Sequence, residues 1–160
     1  MSADSAAIRF DVEISGMRLL LPAGMPCEYF AQAIVYPLPR APRRLLGMMH
    51  LRGHPVPVFD THSQATDLLP IVQRCQLVVL RSSHEAVGLI CDSPPGTVNL
   101  LGEVAEGESD NLAFGPALGT AYRVTSDEPG ESNDELRRVR AFDLARLIDC
   151  CLSDPLEVTS

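Results

Sequence analysis

His50 and His54 stand four residues apart, a spacing that on a helix would set two imidazoles on one face for zinc. Here Gly53 and Pro55 place them around a tight turn instead, and the sequence offers no third ligand. Covalent catalysis calls for a Ser or Cys on a sharp elbow with a base in reach. No Gly-x-Ser-x-Gly, Cys-x-x-Cys or His-Glu-x-x-His run is present. The glycines are spread singly, as turn punctuation, so no phosphate-cradling loop forms and no cofactor is implied. Pro39-Arg40-Ala41-Pro42 satisfies a Pro-x-x-Pro pattern, but it reads better as a stiff connector leading toward Gly47 than as a polyproline ligand. The residue types therefore argue for a protein that binds rather than one that reacts.

Composition narrows what it binds. The 160 residues suit one domain with a real core. Every basic residue is Arg, and the net charge of −8 repels phosphate backbones and anionic lipid, which argues against nucleic acid as partner. No apolar stretch approaches the roughly 20 residues that span a bilayer, and Met1–Ala7 lacks the pattern of a signal peptide, so a cytoplasmic protein without membrane insertion is expected. Five cysteines without framework spacing imply no disulfide; Cys27, Cys75 and Cys91 read as small apolar core residues.

The elements that must position any site are short strands. Ile8, Phe10, Val12 and Ile14 alternate with Arg9, Asp11 and Glu13, the two-residue period of a half-buried strand. Ser15-Gly16 turns the chain into a second strand at residues 18–21. Residues 23–34 read as irregular or strand-like around Glu28, and a short helical turn is expected at Pro42–Leu46. Strands follow at 48–52 and 56–59 across Gly53-His54, the second carrying Pro55 and Pro57 and therefore expected at an edge or a bulge. Further strands are predicted at 76–80, 86–91, 98–101, 122–124 and 139–142, with acidic loops at 103–110 and 127–135. Asp143 is placed to cap a final helix, Leu144–Leu152, with Leu144, Leu147 and Ile148 on one face. Many short strands and one late helix indicate an all-β barrel or sandwich.

One run stands out: Leu38-Pro39-Arg40-Ala41-Pro42, then Leu46-Gly47-Met48-Met49-His50-Leu51-Arg52-Gly53-His54-Pro55-Val56-Pro57-Val58-Phe59-Asp60. It resembles the signature of the CheW-like chemotaxis coupling family: Leu-Pro and Ala-Pro, a Gly with apolar residues, an Arg-Gly turn, and a Val-Pro-Val strand ending in Asp. Upstream, Glu28 fills the family's acidic position, with Pro26 where a Val is usual. Downstream, Val87-Gly88-Leu89-Ile90-Cys91-Asp92 is similar to the second-barrel hairpin, and residues 139–148 look like the closing strand and helix. Thr61 after Asp60, the long acidic loop and Cys27 beside Glu28 depart from the pattern.

The resemblance implies two packed five-stranded SH3-like barrels with a short C-terminal helix, the chain's end returning to the first. On the sequence, the single domain runs over 8–152, with a first barrel at 8–68 plus 139–152, a second at 70–138, and flexible termini at 1–7 and 153–160. It also implies a non-enzymatic scaffold joining the cytoplasmic region of methyl-accepting chemoreceptors to a CheA-like histidine kinase, in chemotaxis or in the related systems of type IV pili and twitching. Partner-binding candidates are Glu28 and Arg52, whose planar head can bind a carboxylate bidentately on Glu28 or on a partner. Leu51, Val56, Val58 and Val87 are candidates for the apolar groove between the barrels that the family uses for receptors. Gly53 and Gly88 read as backbone devices, one for a positive φ and one for close strand approach. The competing reading is an SH3-like small-ligand or peptide-binding module unconnected with receptors, which a tight apolar cavity with converging polar groups would favour.

Overall fold

The computed structural model describes residues 9–14, 17–39, 44–60, 72–82, 85–104, 118–126 and 137–152. Ten strands and one helix follow one another: β1 (Arg9–Ile14), β2 (Met17–Leu20), β3 (Cys27–Val35), β4 (Leu45–Leu51), β5 (His54–Phe59), β6 (Gln73–Arg81), β7 (Ala86–Ile90), β8 (Gly96–Val104), β9 (Leu118–Ser126), β10 (Arg137–Phe142) and α1 (Leu144–Leu152). The all-β class with a terminal helix is as the sequence implies. The Ser15-Gly16 turn, the start of the helical turn at Pro42, the core of the 127–135 loop and both termini lie outside the described residues; the part of that turn within them, Leu45 and Leu46, is strand.

The strands form two five-stranded sheets. One closes into a barrel in the order β1-β2-β10-β9-β8; the other runs β3-β6-β7-β5-β4. This corrects the division read from the sequence. Residues 27–60 belong with the β6–β7 hairpin in the second sheet, and β8 and β9 belong with β1 in the first barrel. The sequence reading let the chain fill one barrel before beginning the next. Instead β1 pairs with β8 (Arg9↔Val98) and β10 lies parallel to β2 (Arg140↔Leu19), so the chain leaves the first barrel after two strands, builds the second, and returns.

The second sheet's outer strands, β3 and β4, are drawn together by a bridge between Tyr36 and Met48, whose reciprocal N–H···O bonds are both 2.8 Å. Gly47 sits at that crossing, where an added Cβ would lie 2.1 Å from the Tyr36 carbonyl oxygen. Only a residue without a side chain lets the backbones approach so closely. Of the edge or bulge expected for β5, the edge is ruled out, since it pairs with β4 on one side and β7 on the other, while its ladder with β4 does carry a bulge, between Leu45 and Gly47. Its prolines are tolerated because β7 meets it only at Val58 and Phe59, beyond Pro55 and Pro57.

Period-two patterning explains how the layers stack. In β6, Leu77 and Val79 face the second sheet's interior with Val35, Met49, Val56 and Val58. Val78 and Leu80 face the layer between the sheets, with Val12, Ile14, Leu19, Val87, Leu89, Phe142 and Leu147. All four are wholly buried, each worth roughly 2 kcal/mol of hydrophobic stabilisation at most. A smaller core of Leu20, Val98, Val124 and Val139 fills the first barrel. The helix closes the shared layer. Asp143 caps it as expected, its Oδ1 accepting from the Arg146 backbone N–H at 3.1 Å, and Leu144, Leu147 and Cys151 point inward.

Candidate functional site

The β4–β5 hairpin ends in a two-residue turn, Leu51 pairing with His54 across Arg52-Gly53. Both turn residues have positive φ, 52° at Arg52 and 82° at Gly53, as a hairpin that matches strand twist requires. Gly53 takes this conformation freely. Arg52 is the only non-glycine residue with positive φ among the described residues, and holding it there costs about 1 kcal/mol. A strained backbone at an exposed charged residue points to a side chain whose direction matters.

That side chain reaches across to β3. Arg52 donates Nη1–H to Glu28 Oε1 at 2.8 Å and Nη2–H to Oε2 at 3.2 Å, a bidentate fork that fixes both groups. Glu28 is set by its strand, as the second residue of β3, paired with Val79 of β6. A third member joins them from the far end of β6, where Arg81 Nη2 lies 3.2 Å from Glu28 Oε1. Arg52 stays 63 % exposed and Glu28 32 %, so water screens the pair and its net contribution to folding is small, about 0–1 kcal/mol. One carboxylate between two guanidinium groups leaves the cluster with an excess positive charge facing solvent. The buried Nε of Arg81 has no hydrogen-bond partner.

Round the end of β6, on the opposite face of the sheet from the Glu28 and Arg81 side chains, a mostly apolar cleft of 350 Å³ opens between the sheets and the helix, lined by Pro22, Met25, Val87, Phe142, Leu144 and Ile148, with Ser82, Glu85 and Asp143 at its polar margin. Strand pairing links the two features: Arg81, next to Ser82, donates its backbone N–H to the Pro26 carbonyl at 3.1 Å, and Pro26 lies between Met25 and Glu28.

The sequence-derived candidates divide accordingly. Glu28 and Arg52 meet, Val87 lines the cleft while being almost wholly buried, and Leu51 is half-buried at the hairpin end. Val56 and Val58 are removed from any surface role by burial in the second sheet's interior, at 2 % and 0 % exposure. They alternate with the two prolines, so the inward face of β5 is the one they occupy. Arg81 and the cleft residues Pro22, Met25, Phe142 and Ile148 were not anticipated. They come from separate segments, and only the pairing of β3 with β6 and the return of β10 bring them together. Gly53 and Gly88 act as expected, Gly88 because a Cβ there would press on Val58 Cγ2 at 3.1 Å.

Other chemistry is sparse. His50 and His54 are exposed, and His50 meets the Tyr36 ring edge-on at 6.0 Å. Among the described residues no three His, Cys, Asp or Glu side chains are grouped to hold a metal ion, and no helix is long and apolar enough to cross a membrane. Burial, then the neighbouring Asp92 and Cys27, pushes the Cys91 thiol up to about 11, and burial, then Glu28, raises that of Cys27. Neither is an activated nucleophile.

Compared with known proteins, residues 11–115 match the family model of the CheW-like domain. A search of curated proteins finds no match. The matched span holds the Glu28–Arg52–Arg81 cluster and the whole second sheet, while β9, β10 and the helix lie beyond it.

Proposed function

This chain belongs to the CheW-like family, a family of non-enzymatic coupling scaffolds in chemotaxis, and on that premise we propose that it joins the cytoplasmic region of methyl-accepting chemoreceptors to a CheA-like histidine kinase. Glu28, Arg52 and Arg81 form the polar half of the partner-binding surface, and the adjoining cleft with Val87 forms the apolar half. Its output is chemotaxis or the related motility driven by type IV pili, and its place of action is the cytoplasm.

The observation that carries this reading is Arg52 itself. It is held with a positive φ, largely exposed, and bidentate to a carboxylate at a sheet end whose other face borders an apolar cleft. A brace for the barrel has no need of solvent exposure, whereas a docking surface needs a fixed, accessible charge next to area that a partner can cover. The alternative, a small-ligand module, draws on the same cleft, whose volume is near the lower end for ligand pockets of roughly 300–1,000 Å³.

The test is recovery of the chain with its partners from its native cells, as wild type and as Arg52→Glu, after circular dichroism shows both folded. Chemoreceptor cytoplasmic regions or a CheA-like kinase with the wild type, lost with the variant, is the expected result. Absence of both classes from the wild-type sample would transfer the cleft to the small-ligand reading. Retention of both by the variant would leave Arg52 a structural brace.

A further inference from the structure

Away from that cluster, the outer face of the first barrel carries an arrangement that composition does not lead one to expect. Arg123 of β9 and Arg138 of β10 are direct cross-strand partners, and both are exposed. Acidic residues outnumber basic ones 21 to 13, so an exposed Arg would ordinarily be met across the ladder by a carboxylate. Here two like charges face each other, which is destabilising in an antiparallel pair. Among the described residues neither guanidinium has a hydrogen-bonding or ionic partner.

The pair rests on a rigid base. Val124 and Val139, the adjoining residues on the inward face, are wholly buried, so the register that places the two Arg stems side by side is fixed by the core. A bulge in β8 sets Gly102 opposite Arg123, with open space where a side chain would stand, and leaves Leu101 next to it 54 % exposed. Among the described residues the surface therefore offers two exposed positive charges held side by side by the register, with an apolar side chain nearby.

We infer that the Arg123–Arg138 pair is a docking site for an acidic segment of a protein partner, one that presents two neighbouring carboxylates, separate from the Glu28–Arg52–Arg81 surface. Charge complementarity chooses the occupant: two carboxylates relieve the repulsion between the guanidinium groups and form charge-assisted hydrogen bonds with them. Carboxylates three or four residues apart on a helix lie about 5–6 Å apart, comparable to the cross-strand spacing of the two Arg residues. The barrel is closed, so no strand edge is offered and recognition runs through side chains. A long polyanion such as nucleic acid meets the repulsion of the whole chain at −8, whereas a short acidic segment meets far less of it.

Fluorescein-labelled hexaglutamate titrated into the full chain at low salt, followed by fluorescence anisotropy, tests this. The expected result is saturable binding that weakens at least tenfold in Arg123→Gln and in Arg138→Gln. It is unchanged in Arg146→Gln, an exposed helix residue, and in Arg74→Gln, an exposed residue of β6. All four variants alter the charge equally, so an equal loss in all of them would reduce the effect to net charge and overturn the inference. Loss in a fifth variant, Arg52→Gln, alone would place the peptide on the other surface and overturn it too. Inorganic phosphate or a short DNA duplex binding as tightly as the peptide would make this a general anion patch instead. Melting followed by circular dichroism should show Arg123→Gln and Arg138→Gln at least as stable as wild type, because each removes a like-charge contact.

Discussion

The first barrel hides an acid–arginine pair and the second sheet displays one. Asp11 of β1 is 1 % exposed and bonded to Arg18 Nη1 at 2.6 Å, and its Oδ1 has no hydrogen-bond partner. Glu28 of β3 is bonded by two guanidinium groups, and Arg52 projects into solvent. Each pair joins residues of different strands, but their surroundings differ. Buried, a carboxylate has left water and depends on its partner; displayed, it loses little when the partner turns away. The same chemistry thus serves architecture in one sheet and, on our reading, recognition in the other.

The sharpest way to break this contrast is to truncate the arginine of each pair. Arg18→Met leaves Asp11 buried without its cation and should lower stability by about 3 kcal/mol, at the lower end for a broken buried pair because Arg18 is itself 28 % exposed. Arg52→Met should cost under about 1 kcal/mol, since the pair is screened and the variant also releases no buried charge. Urea unfolding followed by circular dichroism gives both values. Equal losses would mean that the displayed pair is a brace like the hidden one.

Closure differs between the sheets as well. The first barrel closes through paired ladders on every side, the second through the bridge at Tyr36 and Met48 beside Gly47. Gly47→Ala puts a methyl group against the Tyr36 carbonyl, a backbone atom that cannot step aside as a side chain can, and should cost about 2–3 kcal/mol. Gly102→Ala in the first barrel shares the φ of 158° but meets nothing within 4 Å, so it carries the backbone strain without the clash and serves as the matched control, expected to cost only about 1 kcal/mol in the same unfolding experiment. A Gly47→Ala chain as stable as the control would show that the second sheet does not need its bridge.

How far all this could be read from sequence depends on the range of the interactions. Strand positions were legible because alternation is local: Val12 and Ile14, or Leu77 and Val79, announce a buried face within a few residues. The Asp143 cap was legible for the same reason; the hairpin turn was legible to within one residue, expected from the local pattern at Gly53-His54 and found at Arg52-Gly53. The grouping of strands into sheets was not, because it depends on β1 meeting β8 and β2 meeting β10, pairings between segments far apart in sequence with no local signature. The candidate site shows the same limit. Glu28 and Arg52 were reached through the family signature, whereas Arg81 became visible only when β6 was laid against β3. Val56 and Val58 carry the right residue types for an apolar groove, and alternation alone does not say whether an apolar face meets a groove or a core.

The layer between the sheets gives the smallest effect and the finest discrimination, since it should behave like the hidden pair. Cys91 lies in that layer, and burial raises its thiol from an ordinary 9.0 to about 11. At pH 8 the thiolate fraction is then lower by about a hundredfold than in the unfolded chain, and alkylation by iodoacetamide should be slower by at least that factor. The sign for stability follows. A thiol whose folded value exceeds its unfolded value favours the deprotonated unfolded chain once pH passes 9, so its stabilising contribution is whole below pH 9 and is lost as pH rises toward about 11. Mass spectrometry of alkylated peptides, with Cys27 as the half-exposed comparison on the strand of Glu28, measures the difference site by site. Cys91 reacting as fast as Cys27 at pH 8 would show that the two sheets part often enough to admit reagent, and that the layer between them belongs with the displayed surface rather than the hidden one.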